Sequence, residues 1–538
     1  MASFQIADLF EGVADAVAGR TALVCGDKRR TYAELDQRAT QLANALAARG
    51  IGSGDHVGIY LYNSAEYIES SIACYKLRAI PINVNYRYVE EELIYIFNNA
   101  DLKAVIFGQE FTPRIANIKD QCPLLKLCIS ISDESGEDIS AIDAIEYEAL
   151  LATGSTERAF EARSGSDIYI LYTGGTTGMP KGVMWPHENL FFRALLGGDP
   201  GGYQGAVTSP EELVQRAANG YELCTMPTAP LMHGACQWSC FIALLGGQKI
   251  VLSSTKSFDA MHTWELVERE KINTLSFVGD AMARPLIDAL EGNERDLSSI
   301  FALGSGGAVF SESLQSAFKQ RFPNAMIVNS FGSSETGFQG SSDDKKDGGL
   351  GNVKLGPHNA VIADDHSFVQ PGDGRKGILS LRGHTPIGYY KDEKKTAETF
   401  VNIDGQVWVL SGDIASIDED GTIVVYGRGS VCINTGGEKV YPEEVEAALK
   451  AHPAIFDTLV VAVPDERFTN RVAAVIQLRP GHELSLEDMQ AHCRTKISGY
   501  KVPREMHFCQ EVKRQPSGKP DYKWAKAYAE SGVNKVGK

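Results

Sequence analysis

From Thr173 to Gly178 the chain is an unbroken run of glycine and threonine, and Lys181 follows within Tyr172-Thr173-Gly174-Gly175-Thr176-Thr177-Gly178-Met179-Pro180-Lys181-Gly182. That mixture suits a polyphosphate. Glycines let the backbone come close, hydroxyls and N–H groups donate to phosphate oxygens, and a lysine neutralises charge. The spacing is not G-x-x-x-x-G-K-[ST], so it is no Walker A loop. A second segment, Asn329-Ser330-Phe331-Gly332-Ser333-Ser334-Glu335-Thr336-Gly337, holds one carboxylate, Glu335. Three more segments offer polar groups on turns: Ser411-Gly412-Asp413, Tyr426-Gly427-Arg428 and Pro516-Ser517-Gly518-Lys519. Taken singly, these three read as ordinary turns or a solvated lysine loop, and Gly304-Ser305-Gly306-Gly307-Ala308 reads as a strand-end turn.

Elements must hold these groups together. Tyr32 to Arg49 carries Leu35, Ala39, Leu42 and Leu46 at helical spacing, and Gly50 ends it. His56–Leu61, Ala79–Asn83 and Ala104–Phe107 read as strands with helices between them, and Ile168–Leu171 as an apolar strand feeding the phosphate segment. Repeated strand-then-helix order predicts an α/β fold with mostly parallel, helix-covered sheets. Gly197 to Gly220 reads as a surface insertion, a partly ordered loop with a short helical piece near Glu211–Ala218. Val407–Leu410 reads as a strand ended by Ser411-Gly412-Asp413. Near Gly427-Arg428-Gly429-Ser430 glycines interrupt the pattern. We expect a large domain over 1–428 and a small mobile α+β domain over 429–538, with a helix at Pro442–Lys450 and strands at Thr458–Val463 and Ala473–Leu478.

In this order, the motifs resemble those of the adenylate-forming superfamily, which includes acyl-CoA synthetases, luciferases and peptide-synthetase adenylation domains. The resemblance covers nearly the whole chain. It implies that Thr173, Gly174, Gly175, Thr176, Thr177 and Lys181 cradle the phosphates of ATP. It implies further that Glu335 and Thr176 hold Mg²⁺, and that Gly306, Gly307, Ala308, Ser330, Phe331, Gly332, Ser334 and Thr336 surround the nucleotide. Phe331 stands where the family has tyrosine, keeping a stacking face and losing a hydroxyl. Asp413 and Arg428 would meet the ribose and phosphate oxygens. Lys519 matches the mobile catalytic lysine, so Lys519, Thr176, Glu335 and His233 form the implied catalytic set. Gly436, Gly437 and Lys439 would line the coenzyme A pantetheine tunnel after the small domain rotates. Ser430 sits at the hinge position, where Asp or Lys is usual.

Ala229-Pro230-Leu231-Met232-His233-Gly234-Ala235-Cys236-Gln237-Trp238 resembles the acyl-pocket segment. His233, Gly234, Ala235 and Trp238, with Gly307 and Gly332, are the implied substrate contacts, although a packing histidine is the alternative for His233. Small Gly234, Ala235 and Ser239 beside Trp238 and Phe241 suggest a roomy apolar pocket. No carboxylate lies between Leu231 and Leu245, which disfavours an amino-acid substrate. Gly182-Val183-Met184-Trp185 and Phe277-Val278-Gly279-Asp280-Ala281-Met282-Ala283-Arg284-Pro285 resemble a subgroup of bacterial ligases for bulky acids such as steroid side-chain carboxylates. On that helix Asp280 and Arg284 are spaced to pair. The expected activity is an AMP-forming acid:CoA ligase using ATP, Mg²⁺ and coenzyme A. A medium- or long-chain fatty acid, or acyl loading of a carrier protein, is the alternative.

Composition agrees with this reading and excludes others. The net charge of −17 argues against non-specific nucleic-acid binding. Residues 430–538 hold 16 Lys+Arg and 14 Asp+Glu, a net +2 against −19 for the rest, as suits a lid approaching phosphates. The ten cysteines lack CxxC spacing and read as free thiols. With no secretory signal or apolar span evident, the expected place is the cytoplasm, with a homodimer left open.

Overall fold

The structure, a computed structural model, describes residues 3–537 apart from 176–177, 309, 343–351, 436–437, 466–468 and 516–517. Two parallel sheets dominate the large domain. In the eight-stranded sheet, Met326–Ser333, Ala302–Gly306, Thr274–Phe277, Cys224–Pro227, Lys249–Leu252 and Thr21–Cys25 run parallel in that spatial order. Antiparallel edges close it at Gly337–Ser342 and Lys28–Thr31. The five-stranded sheet is parallel throughout, in the order Ile80–Asn83, His56–Tyr60, Leu102–Gly108, Leu127–Ile131, Ile145–Glu146.

Local sequence explains the elements between them. Thr31 and Glu34 form a reciprocal cap on Tyr32–Ala47 (Glu34 N to Thr31 Oγ1, 3.2 Å; Thr31 N to Glu34 Oε2, 2.7 Å). The periodic Leu35, Ala39, Leu42 and Leu46 are all buried. The insertion at 197–220 is more ordered than expected. Ser209 caps the helix Pro210–Asn219, which buries Leu213 and Ala217. Its Val214 fills the space left by Gly12, where a Cβ would lie 2.9 Å from Val214 Cγ2. Arg20 donates to the carbonyls of Ala217 (2.9 Å) and Ala218 (3.0 Å), partners for the last helical turn.

A mostly antiparallel six-stranded sheet (Asn352–Lys354, Asn359–Ile362, Gly377–Leu381, Phe400–Ile403, Gln406–Ile417, Thr422–Arg428) completes the large domain. The strand expected to stop at Asp413 instead continues through it to Ile417. Gly412, with φ +81°, supplies a left-handed kink within that strand that other residues avoid. The small domain has its own sheet (Ile455–Asp465, Thr469–Leu478, Glu505–Cys509, Lys535–Gly537) covered by Pro442–Lys450, Leu486–Arg494 and Tyr522–Glu530. Among the described residues no helix is long and apolar enough to cross a membrane.

Candidate active site

The chemistry-bearing residues gather where neighbouring strands of the large sheet end. Thr274–Phe277 leads into Val278, Ala302–Gly306 into Gly307, Met326–Ser333 into Glu335, and Cys224–Pro227 into the segment ending at His233. Carboxyl ends of parallel strands are the usual ligand crevice of such sheets. Gly306 lies opposite Ser330 in register, which brings the two nucleotide segments side by side.

The phosphate segment is the tip of a hairpin. Ile168–Gly175 pairs with Gly178–Pro186, Thr173 opposite Lys181 and Gly175 opposite Gly178. Thr176 and Thr177 lie outside the described residues. Buried Asn83 bolts the hairpin to the rest of the site. Its Oδ1 accepts from Tyr172 N (2.8 Å), while its Nδ2 donates to Tyr172 O (2.8 Å) and Met232 O (2.7 Å), next to His233. Lys181 forms an ion pair with Asp392. That pair is partly exposed, so exchanging Asp392 for phosphate oxygens costs little. Hydrogen bonding from Lys181 holds the Asp392 carboxyl below its usual range.

Glu335 projects from a braced turn. Trp185, fully buried, donates from Nε1 to Ser334 O (2.9 Å), and Thr336 Oγ1 accepts from Ser333 N (3.0 Å). Thr336 is wholly buried, so its hydroxyl supports the turn from behind rather than opening onto the crevice. Tyr389 donates its hydroxyl to Glu335 Oε1 (2.9 Å). Gly332 is required by close packing, since a Cβ there would lie 2.1 Å from Gly337 O. Among the described residues no group of three or more His, Cys, Asp and Glu is assembled for a metal. A single carboxylate is the donor set expected for Mg²⁺ when substrate phosphates supply the remaining oxygens.

His233 occupies the N-cap position of the helix Gly234–Leu245 without a side-chain capping bond, and its Nε2 is buried with no hydrogen-bond partner among the described residues. Burial, followed by the positive charges of Lys519 and Arg87, pushes its pKa down to about 3. The imidazole is therefore neutral at physiological pH. Lys519 reaches this place from the small domain. A Cβ on Gly307 would lie 3.9 Å from Lys519 Cε and 3.9 Å from Val278 Cγ1. Ala308 is half-buried beside this loop. The structure thus brings Lys519, His233 and Gly307 together.

Asp413 and Arg428 are directly opposed across two antiparallel strands. Lys439 lies on a short hairpin opposite Asn434, whereas Gly436, Gly437, Pro516 and Ser517 fall outside the described residues. Along Gly234–Leu245, Cys236, Gln237, Cys240 and Phe241 are buried, but Ala235, Trp238, Ser239 and Ile242 are more open and share one face. Two pocket expectations change here. The bare side of Gly234 is taken up by Leu171, whose Cδ2 would lie 2.5 Å from a Cβ, and Phe241 packs inward against Tyr75 (centroids 5.6 Å apart). Asp280 and Arg284 do not pair either. Asp280 faces Lys450 (3.6 Å), and Arg284 lies over the ring of Phe456 (5.7 Å), both on the small domain. Sequence reasoning missed Asn83, Tyr389, Asp392 and Arg87, because each acts on a partner far along the chain.

Known proteins resemble this chain over nearly its whole length. Residues 10–390 match the AMP-binding enzyme family and 444–519 match the AMP-binding enzyme C-terminal domain. A 3-oxocholest-4-en-26-oate–CoA ligase of Rhodococcus rhodochrous is 46% identical over 97% of this chain and 96% of its own. A medium/long-chain-fatty-acid–CoA/3-oxocholest-4-en-26-oate–CoA ligase of Mycobacterium tuberculosis is 46% identical over 98% of this chain and 97% of its own. Among solved structures, an anthranilate CoA ligase in complex with anthranoyl-AMP superposes with a TM-score of 0.84 at 25% identity, covering 99% of this chain and 98% of that one.

Proposed function

The chain belongs to the AMP-binding enzyme family, and on that premise we propose that this AMP-forming acid:CoA ligase takes a bulky hydrophobic acid, a steroid side-chain or aryl-alkanoic carboxylate. The convergence of Lys519, His233 and Gly307 carries the mechanistic part of the reading. The acid's carboxylate lies beside neutral His233, which offers a hydrogen bond without adding charge. A carboxylate oxygen attacks the α-phosphorus of ATP, the bond to the β-phosphate bridging oxygen breaks, and pyrophosphate leaves. Lys519 spans the carboxylate and the α-phosphate, where negative charge gathers in the transition state. The hairpin of Thr173 and Lys181 grips the β- and γ-phosphates. Glu335 with Thr176 would hold Mg²⁺, which would supply charge neutralisation on the departing pyrophosphate. Asp413 and Arg428 hold the ribose.

In the second step the thiolate of coenzyme A attacks the acyl carbon, and AMP leaves. Here the small domain, residues 429–538, has turned to withdraw Lys519 and present Gly436, Gly437 and Lys439. The ten free cysteines suit a reducing cytoplasm.

The acid preference rests on the open face of Ala235, Trp238, Ser239 and Ile242, and on the steroid-acid substrate named for the relatives at 46% identity. The medium- and long-chain fatty acids named for one of those relatives support a second reading, with a straight chain on the same face. Replacing Ala235 with Trp separates them. Overpacking costs roughly 1–3 kcal/mol, or about five- to two-hundredfold in kcat/KM. Ala235→Trp is expected to suppress a ring acid by that factor and a short straight-chain acid far less. Equal losses for both acids would remove Ala235 from the pocket.

A further inference from the structure

A lysine in a Pro-Ser-Gly-Lys loop has no intrinsic reason to point at His233. What holds it there is a chain of charges crossing between the domains. Arg514, just before the loop, donates from Nη1 to Gly518 O (3.2 Å) and from Nε and Nη2 to the two oxygens of Asp457 (2.7 Å each). Lys450 Nζ lies 3.5 Å from Asp457 Oδ1 and 3.6 Å from Oδ2 of Asp280, on the large domain. The other Asp280 oxygen accepts from Ser311 N (2.7 Å), just beyond the Gly304–Ala308 loop. On the same segment Gly279 N donates to Ser305 Oγ (3.0 Å). A Cβ on Gly518 would lie only 3.2 Å from Val278 Cβ, so this loop seats directly on the start of the Asp280 helix. Val278 to Asp280 therefore touches both the nucleotide-side loop and the lysine loop.

The charges in this chain alternate. Burial alone would raise the Asp457 carboxyl, but Arg514 and Lys450 hold it at about 2. Asp457 and Arg514 belong to the small domain and stay paired wherever it sits. Asp280 is the link that breaks on undocking. The side chains of Lys450 and Asp280 are 2% and 3% exposed, so Asp280 without Lys450 is a buried carboxylate that has lost its cation, and Lys450 without Asp280 is a buried ammonium left to share Asp457 with Arg514. Desolvation offsets much of their attraction, which keeps such a contact reversible rather than permanent.

We propose that Asp280 is a positioning residue for acyl-AMP formation: through Lys450, Asp457 and Arg514 it registers the Lys519 loop on the nucleotide-side loops, and it takes no part in thioester formation. The inference rests on the adenylating role given to Lys519 above. Its test uses the full-length protein with Asp280→Asn, which keeps the shape and an oxygen for Ser311 N but removes the charge. Lys450→Met, which leaves Asp457 on Arg514, is the second variant and carries the test if the first does not fold. Single-turnover pyrophosphate release reads acyl-AMP formation, and thioester yield from supplied acyl-AMP and coenzyme A reads the second step.

Each variant is expected to slow the first step about tenfold or more through kcat, with KM for ATP little changed, and to leave the second within about twofold. The double variant should be no slower than the slower single one, because both remove one contact. Equal losses in both steps, an unchanged first step, or additive losses would overturn the proposal. Lys519→Ala is measured alongside. If it spares acyl-AMP formation, the role of Lys519 fails and the inference with it. If it blocks that step while Asp280→Asn does not, only the inference falls.

Discussion

Lys181 and Lys519 both sit on hairpins, and the two hairpins are held in different ways. The Lys181 hairpin is paired from Ile168–Pro186 inward, is fixed by buried Asn83, and carries Trp185, which in turn braces the Glu335 turn. Its anchors are short hydrogen bonds to backbone groups inside the large domain, and they have no reason to open during turnover. Among its described residues the Lys519 loop has an isolated bridge, Arg514 with Pro520, and backbone bonds from Gln515 N to Lys519 O and from Gly518 N to Gln515 O. Its seat on the large domain includes a glycine against Val278 and a charge contact at 3.6 Å. The hairpin proposed to grip the phosphates is bolted down, whereas the loop proposed to withdraw before thioester formation is held by contacts that can part and re-form.

The sharpest way to break this comparison is to remove the removable cation. Lys519→Ala is expected to slow acyl-AMP formation by about a hundred- to a thousandfold, the cost typical of losing one preorganised electrostatic group. Next in size is a bolt of the fixed half. Asn83→Leu leaves Tyr172 N, Tyr172 O and Met232 O without their buried partner, at roughly 1–3 kcal/mol for each group not reached by water. Urea unfolding is expected to show a loss of at least about 2 kcal/mol, with both half-reactions slowed together. A loss confined to one half-reaction would contradict the comparison. The smallest effect concerns Tyr389→Phe, which removes the hydrogen bond to Glu335 and leaves its ring. About two- to tenfold weaker Mg²⁺-dependent turnover is expected, from a bond of about 0.5–1.5 kcal/mol. A titration of turnover against Mg²⁺ that does not shift would remove Tyr389 from the site.

Much of this arrangement was legible along the chain because polyphosphate chemistry is written locally. A run of glycine and threonine, a lone Glu335 and a Gly518-Lys519 loop each sit within a few residues, and the helix Pro442–Lys450 has the bounds its pattern predicts. The rest depends on contacts across long separations. Asn83 reaches Tyr172, Tyr389 reaches Glu335, and Lys450 reaches Asp280, pairings that no local pattern encodes. Gly234 misled in an instructive way. A missing side chain reads in sequence as room for substrate, but Leu171 already fills it. The Asp280–Arg284 spacing misled likewise, since the partners on offer from the small domain outcompete a neighbour on the same helix. Ser411-Gly412-Asp413 reads along the chain as the end of the strand Val407–Leu410, although Gly412 kinks that strand without ending it.

The central claim is that Lys519 serves one half-reaction only, and its most direct measurement is the thiolysis step in isolation. Synthetic acyl-AMP and coenzyme A are supplied to the wild type and to Lys519→Ala, and the single-turnover rate of thioester formation is followed. A rate for Lys519→Ala within about twofold of wild type is the expected result, since an interaction absent from that transition state cannot slow it. Thioester formation falling in parallel with acyl-AMP formation would mean that Lys519 stays in place throughout, and that the two hairpins do not differ in the way described.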